Sequence, residues 1–415
     1  MAWSNFLAQT SPPALDSGST AWMLCSSALV LLMVPGLALF YGGMVRQKNV
    51  LTTMMHSFVA MAVIGVQWIA FGYAISFGQD IGGVWGWDRD ALFLRGISHT
   101  DLYADKGIPT LLFVMFQGKF AIITPALISG AVAERVKFSS YIVFILLWST
   151  LIYDPVAHWV WAPGGWLFQK GVLDFAGGTV VHITAGVSAL ALILLMGNRR
   201  DYPRGAILPN SLVLTLTGAG LLWFGWFGFN AGSAVAAGDV ATLAFTTTQT
   251  AAAAAALAWL VIEWWHRGKA TSLGVASGII AGLVAITPAA GHVEPVAALV
   301  IGAVASLLCY GAVQLKGRLG YDDSLDAFGV HGVGGIWGAL ATGIFCTIPV
   351  KGLIDGNAGQ FGLQALGVVA AAAYAFVGTL IIGGALKATI GLRCTDQQER
   401  DGLDIMVHGE RGYHY

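Results

Sequence analysis

Two histidines stand inside apolar stretches of the sequence, and each follows an aspartate at a short interval. Asp174 precedes His182 by eight residues, and Asp326 precedes His331 by five. Eight residues of helix span about 12 Å, so if Asp174 lies near one membrane face, His182 lies well inside the hydrocarbon. An ionisable side chain at that depth is a functional-site hypothesis, and we interpret the two histidines as lining one pore. The aspartates are better explained as caps that satisfy free N–H groups at helix starts.

The composition indicates a protein that faces lipid. Of the 415 residues, 56% are hydrophobic and 10% are charged, whereas soluble proteins contain roughly 25% charged residues. The formal net charge of −1 suggests neither nucleic acid nor acidic partners. The 4 cysteines are dispersed without a metal-site spacing, so we expect neither a disulfide framework nor a metal site. The 55 glycines imply helices that pack closely through small faces.

Eleven apolar runs are long enough to span a membrane as helices. They lie at about 20–44, 51–77, 109–133, 138–161, 175–196, 208–236, 241–265, 272–289, 295–314, 325–348 and 361–390. We therefore predict an all-α polytopic membrane protein with eleven transmembrane helices. A short outer N-terminal segment occupies 1–19, the membrane domain 20–390, and a cytoplasmic C-terminal tail 391–415.

The lysines and arginines predict the orientation of the chain. If the N-terminus is outside, fifteen of the 21 fall in inner loops or the tail, five fall in outer loops, and one lies within a span. This bias predicts an N-out, C-in topology. The inner residues are Arg46, Lys48, Arg135, Lys137, Arg199, Arg200, Arg204, Arg267, Lys269, Lys316, Arg318, Lys387, Arg393, Arg400 and Arg411. The outer residues are Arg89, Arg95, Lys106, Lys170 and Lys351.

The eleven spans divide into five, five and one extra C-terminal helix. The fifth and the tenth each carry an aspartate followed by a histidine, which suggests a five-helix unit repeated once. Such a repeat must be inverted in the membrane, an arrangement typical of transporters and channels with a site near the midplane. One histidine-bearing helix runs inward and the other outward, so we expect His182 and His331 to approach each other near the centre.

The same topology collects aromatic residues at the outer membrane face. Aromatic rings with one hydroxyl and a nearby carboxylate suit the capture of a small cation through cation–π and hydrogen-bond contacts. Below them follow only the histidines, without a carboxylate ring or carbonyl motif to rehydrate a metal ion. Taken singly, each aromatic is more often a packing or membrane-belt residue, and a lone serine is more often a packing hydroxyl. The residues concerned are Phe116, Phe120, Trp161, Asp174, Trp226, Phe229 and Ser233.

At these residues the chain closely resembles the ammonium transporter family (Amt/Mep/Rh). The resemblance runs in the same order from Ala21 to Tyr415, and the presence of both Trp161 and Ser233 favours the Amt branch of bacterial type. The matching motifs are Phe40-Tyr-Gly-Gly43, Phe116-Gln-Gly-Lys-Phe120, Ser129-Gly-Ala-Val-Ala-Glu-Arg135, His158-Trp-Val-Trp161, Asp174 to His182, Gly225 to Ser233, Asp326 to Gly332 and Gly402 to Glu410.

The resemblance implies a role for each of these positions. Ammonium would bind at Trp161 and Ser233, flanked by Phe116; Phe120 and Phe229 would form a stacked gate, and His182 and His331 would line the pore. Asp174, Asp326 and Trp226 would give structural support. The resemblance also implies a homotrimer with one pore per subunit in the cell membrane, and a tail of the type on which PII-type signal proteins act. It implies neither a cofactor nor an enzyme activity.

The expected function is ammonium transport, in which the ion is deprotonated outside and ammonia crosses the pore. Because a bare charge in hydrocarbon is heavily penalised, a relayed proton would travel separately through the imidazoles. Three alternatives stay open: an Rh-like channel for neutral ammonia or carbon dioxide, a membrane redox protein with the histidines as axial haem ligands, and an ammonium sensor. Lys119 adjoins the expected gate, but neighbouring residues on a helix point about 100° apart, so we expect it to face a neighbouring helix or subunit.

Overall fold

The computed structural model describes residues 14–103, 106–203 and 207–413, and helices dominate these parts of the chain. Ten helices within them are long and apolar enough to cross a membrane, which identifies a multi-pass membrane protein. Arg204, which entered the predicted inner charge, and residues 1–13 lie outside the described residues. The spanning helices are α1 (Ser17–Met44), α2 (Gln47–Phe77), α3 (Thr110–Val132), α4 (Phe138–Lys170, interrupted after Trp161), α5 (Gly178–Met196), α6 (Leu212–Gly232), α7 (Asp239–Arg267), α9 (Pro295–Leu319), α10 (Phe328–Phe345) and α11 (Ala358–Thr389).

The remaining predicted span, 272–289, contains the shorter helix α8 (Ser272–Ile286). Its 15 residues extend over about 22 Å, whereas the hydrocarbon core of a bilayer is about 30 Å thick. The all-α polytopic architecture is therefore confirmed, but the count of eleven spans is not. The orientation and the inverted repeat stay predictions. One short hairpin pairs β1 (Asp80–Ile81) with β2 (Trp85–Gly86) in antiparallel fashion.

Four of the spanning helices contain a π-helical segment. These segments are Trp68–Gly72 in α2, Ser149–Tyr153 in α4, Gly178–Ile183 in α5 and Phe328–Gly332 in α10. In α4 the segment comes just before Pro155, which has no N–H to donate to the Leu151 carbonyl. The Tyr374 hydroxyl of α11 donates to that carbonyl instead, at 2.8 Å. Because π-segments frequently occur at functional sites, these four helices are candidates for contributing to a functional site.

Helices α5 and α10 cross at backbone contact, just beyond the two histidines. A Cβ atom at Gly186 would overlap the backbone of Gly332. Glycines of α6 face the backbone of α1 in the same way, at Gly218 and Gly225. Because glycine has no side chain, these helices approach each other closely, as the glycine content predicted.

A buried network of charges joins the loops that the predicted orientation places on the inner side. Glu134 accepts from Arg46 at 3.0 Å and from Arg199 at 2.8 Å. Arg199 also pairs with Asp322 at 2.8 Å, and Arg135 lies 3.6 Å from the same carboxylate. Burial alone would raise the pKa of Glu134, but Arg199 and Arg46 outweigh it and hold the pKa below its ordinary value. Four loops are thereby fixed relative to one another.

The C-terminal tail packs against the same side of the molecule. It contains a short helix, α12 (Asp396–Asp401), with a capping box between Thr395 and Gln398, and a π-helical turn, Asp404–His408. The Asp404 carboxylate accepts hydrogen bonds from the backbone N–H groups of Leu51 at 3.0 Å and Thr52 at 2.8 Å. The tail therefore caps the start of α2.

Candidate pore and outer binding site

His182 and His331 contact each other in the buried interior. Their Nδ1 atoms are 3.3 Å apart, and their rings are nearly parallel, with centroids 5.3 Å apart and an interplanar angle of 19°. A neutral imidazole has one donor and one acceptor nitrogen, so only one of the two Nδ1 atoms carries the hydrogen between them. One Nε2 is then an acceptor and the other a donor. The pair can offer both kinds of contact to a small polar molecule.

Each histidine lies in a π-segment whose start is capped by an aspartate. The Asp174 carboxylate accepts four backbone hydrogen bonds, from residues 177–180, at 2.6 to 3.0 Å. This agrees with its interpretation as a cap. Burial raises the pKa of Asp174 to about 6, and the four amide donors oppose the rise.

The predicted cap at Asp326 is wrong, because Asp323 holds that position. The Asp323 carboxylate accepts from the N–H groups of Ala327 at 3.0 Å and Phe328 at 2.8 Å. Asp326 instead has a φ of 60° and forms an ion pair with Lys316. Its contribution to the structure is thus a charge contact between α9 and the start of α10.

The histidines line a narrow and otherwise apolar cavity of about 10 Å³, roughly the volume that one water molecule requires. The Trp226 ring lies almost parallel to His182, at 5.5 Å between centroids. The Trp226 N–H donates to the Thr287 hydroxyl at 2.9 Å, so Thr287 fixes the orientation of this ring. The other lining residues are Met33, Leu37, Phe40, Ile123, Leu127, Val181, Leu222, Phe229 and Ile280.

Two phenylalanines separate this cavity from a second one on the other side. The rings of Phe120 and Phe229 are 4.2 Å apart between centroids, at an angle of 34°. Phe120 lines the second cavity, and Phe229 lines the histidine cavity. The two rings therefore close the passage between the cavities.

The second cavity, the outer vestibule in the predicted orientation, measures about 170 Å³. Trp161 and Ser233 both line it. The Trp161 N–H donates a hydrogen bond to the Asp174 carbonyl oxygen at 2.9 Å and is therefore not available to a ligand. The Ser233 hydroxyl donates to the Phe229 carbonyl at 2.8 Å, which leaves its lone pairs to accept from a ligand. Ser233 is also the C-cap of α6, where the helix dipole is negative. A small cation that donates hydrogen bonds suits this position.

Two residues depart from the predicted vestibule. Phe116 is fully buried and packs edge-to-face on Phe120, at 4.9 Å between centroids, so it supports the gate instead of lining the vestibule. Lys106 does line it, although its position in the sequence indicated only a contribution to the outer charge. Among the described residues, Lys119 lines neither cavity, which agrees with the expectation that it faces away from the pore. Nothing in the local sequence marks Lys106 or Thr287, because chain segments distant in sequence bring them to the site.

Comparison with known proteins gives a consistent result. The sequence profile of the Ammonium Transporter Family matches residues 21–413. The chain is 50% identical over 411 residues to an ammonium transporter of Aquifex aeolicus, covering 98% of this chain and 96% of that protein. It is 47% identical over 405 residues to an ammonium transporter of Bacillus subtilis, covering 96% and 99%. The crystal structure of Saccharomyces cerevisiae Mep2 matches with a TM-score of 0.85 and 37% identity, over 92% of this chain and 88% of that chain.

Proposed function

The chain belongs to the ammonium transporter family, and from this premise we propose that it transports ammonium by deprotonating the ion and conducting ammonia between its two pore histidines. The observation that carries the proposal is the sequence of environments along one path. A vestibule with a hydroxyl acceptor and aromatic faces leads to two stacked phenylalanines, and these lead to an apolar cavity with paired imidazoles.

Ammonium binds first in the outer vestibule. Its N–H groups donate to the Ser233 hydroxyl, and its charge lies against the faces of Trp161 and Phe120. The ion keeps part of its hydration there, because the vestibule is large enough for several small molecules. Asp174 positions this site through the backbone that it caps, without touching the ligand.

The ion gives its proton to water in the vestibule, and only the resulting ammonia passes the phenylalanines. A bare charge in the apolar cavity beyond them would carry a large desolvation penalty, whereas neutral ammonia would not. Once inside, ammonia accepts from the Nε2–H of one histidine and donates to the bare Nε2 of the other. The paired imidazoles therefore replace water for the neutral molecule, and a proton can be relayed between them separately.

Methylammonium uptake into cells that lack their own ammonium transport tests the substrate and the path. We expect the protein to restore uptake, and His182→Ala and Phe120→Ala to lower it by at least about tenfold. Phe224→Ala is the matched control, because Phe224 lies on α6 with Phe229 but is 56% exposed. Wild-type uptake in both pore variants would contradict the proposed path.

Transport current separates the ammonium mechanism from the Rh-like alternative of a neutral gas channel. In liposomes that contain the purified protein, addition of ammonium should produce a current if the proton is relayed. We expect His182→Ala and His331→Ala to abolish this current. Uptake without current would favour the gas channel, and an unchanged current in both variants would exclude the relay. The haem alternative conflicts with a cavity of about 10 Å³, which cannot hold a macrocycle.

We further propose that the protein is a homotrimer in the plasma membrane, with one pore per subunit. Its tail, which covers the inner loops, is the proposed contact for a PII-type signal protein. The mass of the purified protein in detergent tests the trimer. Copurification with a PII-type protein from the same organism, lost when residues from 391 onward are removed, tests the partner.

A further inference from the structure

Helix α4 contains a buried acidic residue, Asp154, that the proposed path does not use. Asp154 is fully buried, and its carboxylate contacts only neutral groups. The Gln67 side-chain N–H donates to it at 2.7 Å, and the Ser76 hydroxyl lies 3.4 Å away. Its electrostatic neighbours among the described residues include neither a lysine nor an arginine. An ionised carboxylate in such a place would be a buried charge without compensation, and groups in that situation neutralise instead.

Asp154 and its hydrogen-bond partner Gln67 each adjoin a π-helical segment. The carboxyl follows directly on the π-segment Ser149–Tyr153, and Gln67 directly precedes the π-segment Trp68–Gly72. The Gln67 amide lies against Gly72 so closely that a Cβ at Gly72 would come within 2.7 Å of its oxygen. The same helical irregularity that presents the two pore histidines thus also presents this pair.

Two nearby polar atoms have no hydrogen-bond partner among the described residues. They are the side-chain oxygen of Gln67 and the hydroxyl of Tyr153, both buried. Turning the Gln67 amide by half a turn would let its oxygen accept an O–H from a protonated Asp154. The remaining polar neighbour, Thr150, accepts from Gln67 at 3.3 Å and carries no charge. Asp174 is the other acidic group within electrostatic range of the Tyr153 hydroxyl.

One helical turn further along α4, His158 and Asp80 hold a proton between them. The His158 Nδ1 lies 3.0 Å from the Ser76 carbonyl oxygen, which can only accept, so Nδ1 carries a hydrogen. The Nε2 lies 2.9 Å from an Asp80 carboxylate oxygen. Two acceptors would face each other unless a proton lies between them, so either the imidazole or the carboxyl is protonated. The Asp80 side chain is 37% exposed and opens this pair to solvent.

We propose that Asp154 is a proton-binding site that is neutral in the folded protein and exchanges its proton with the outer solution past Ser76 and the His158–Asp80 pair. Ser76 contacts both groups, with its carbonyl toward His158 and its hydroxyl toward Asp154. A metal cation is the competing occupant. The proton is favoured because the described residues place no second carboxylate beside Asp154 and no group of three acidic, histidine or cysteine ligands anywhere.

This site lies beside the ammonium path. Asp154 and Trp161 are seven residues apart on α4, about two turns, and therefore lie on the same side of the helix. If ammonium is deprotonated in the vestibule, a claim that rests on the proposed function, Asp154 takes up the released proton only after its own proton has left toward the outer solution, so α4 offers a proton-exchange site outside the pore.

Infrared difference spectroscopy of the full protein in liposomes tests the proposal, since the carbonyl stretch of a protonated carboxyl group is distinct from that of a carboxylate. We expect Asp154→Asn, which keeps the shape of the neutral group, to remove one such band. Asp355→Asn, at an exposed outer carboxylate, is the matched control and should remove none. A wild-type band pattern in Asp154→Asn would overturn the proposal, as would a band that changes when sodium replaces a large organic cation.

Deuterium exchange tests the access route while keeping Asp154 in place. In heavy water, the Asp154 band should shift at least about tenfold more slowly in His158→Gln than in the wild type. Equal rates would overturn the route through His158. Both measurements are independent of transport, so a protein that shows the band but takes up no methylammonium would contradict the proposed function and support the proton site.

Discussion

At the scale of single residues, the site combines groups that favour a cation with one that opposes it. Ser233 offers an acceptor at the negative end of α6, and aromatic faces surround it. Lys106 lines the same vestibule with a positive charge. The balance between them sets how readily a cation enters at low concentration, and it depends on salt because exposed charges are screened.

Removal of the Lys106 charge should therefore increase entry. We expect Lys106→Gln to raise methylammonium uptake at low ionic strength by up to about fivefold, since a unit charge at about 4 Å in water contributes about 1 kcal/mol. The gain should disappear in high salt. Lys170→Gln removes an exposed charge that does not line the vestibule and should change little. A gain that persists in high salt would contradict the electrostatic explanation.

Asp174 should make transport depend on outer pH. Its pKa is about 6, so below that value the carboxyl is protonated and accepts the four amide hydrogen bonds less well. We expect initial uptake rates to fall as pH decreases through about 6, and Asp174→Asn to be slow and insensitive to pH across that range. The fold itself should not weaken there. A folded pKa above the ordinary 3.8 means that the folded state binds the proton more tightly than the unfolded chain.

At the scale of the elements, the proposed pore depends on how closely α5 and α10 cross. Gly186→Ala introduces a methyl group against the backbone of Gly332 and should lower the free energy of unfolding by about 1–3 kcal/mol. Gly220→Ala in α6 meets no atom within 4 Å and is the matched control. Thermal unfolding in detergent measures both. Equal stability of the two variants would show that the crossing tolerates a side chain.

The sequence predicted the histidine-bearing helices but not all of their supporting contacts. The length of the apolar runs and the aspartate–histidine spacing can both be recognised within short segments of the chain. They were therefore sufficient to predict that His182 and His331 approach each other. Spacing alone could not distinguish Asp323 from Asp326 as the cap of α10, because the choice depends on the left-handed backbone at Asp326. Thr287 and the His158–Asp80 contact were missed for another reason: their partners are distant in sequence.

At the scale of the whole molecule, one buried network holds the inner loops together. Glu134→Gln would remove the buried carboxylate that Arg46 and Arg199 share and would leave them only Asp201 and Asp322 as counter-charges. Losing one partner of a buried ion pair costs about 3–5 kcal/mol. We expect a loss of stability of that size in thermal unfolding. Glu410→Gln, at an exposed tail position, should leave stability unchanged.

The same network predicts how stability changes in acid. Glu134 and Asp322 both have a lowered pKa, because their arginine neighbours outweigh the effect of burial. Their contribution is therefore complete at neutral pH and is lost as the pH falls through their folded pKa values. We expect Glu134→Gln to lose less stability than the wild type between neutral pH and moderate acid, because only Asp322 of the two carboxylates still titrates in the variant. Parallel curves would show that other groups determine the acid response.

The contact between Asp404 and the start of α2 has a consequence for how the protein is made. The carboxylate that accepts from Thr52 is 352 residues further along the chain. A ribosome therefore releases α2 into the membrane long before its final acceptor exists, and the first amides of that helix must rely on water until Asp404 has been synthesised. This contact forms only after the spanning helix α11, which ends at Thr389, has been made. A product truncated before Asp404 would carry all ten described spanning helices with uncapped amides at the start of α2, a difference that cellular quality control could recognise.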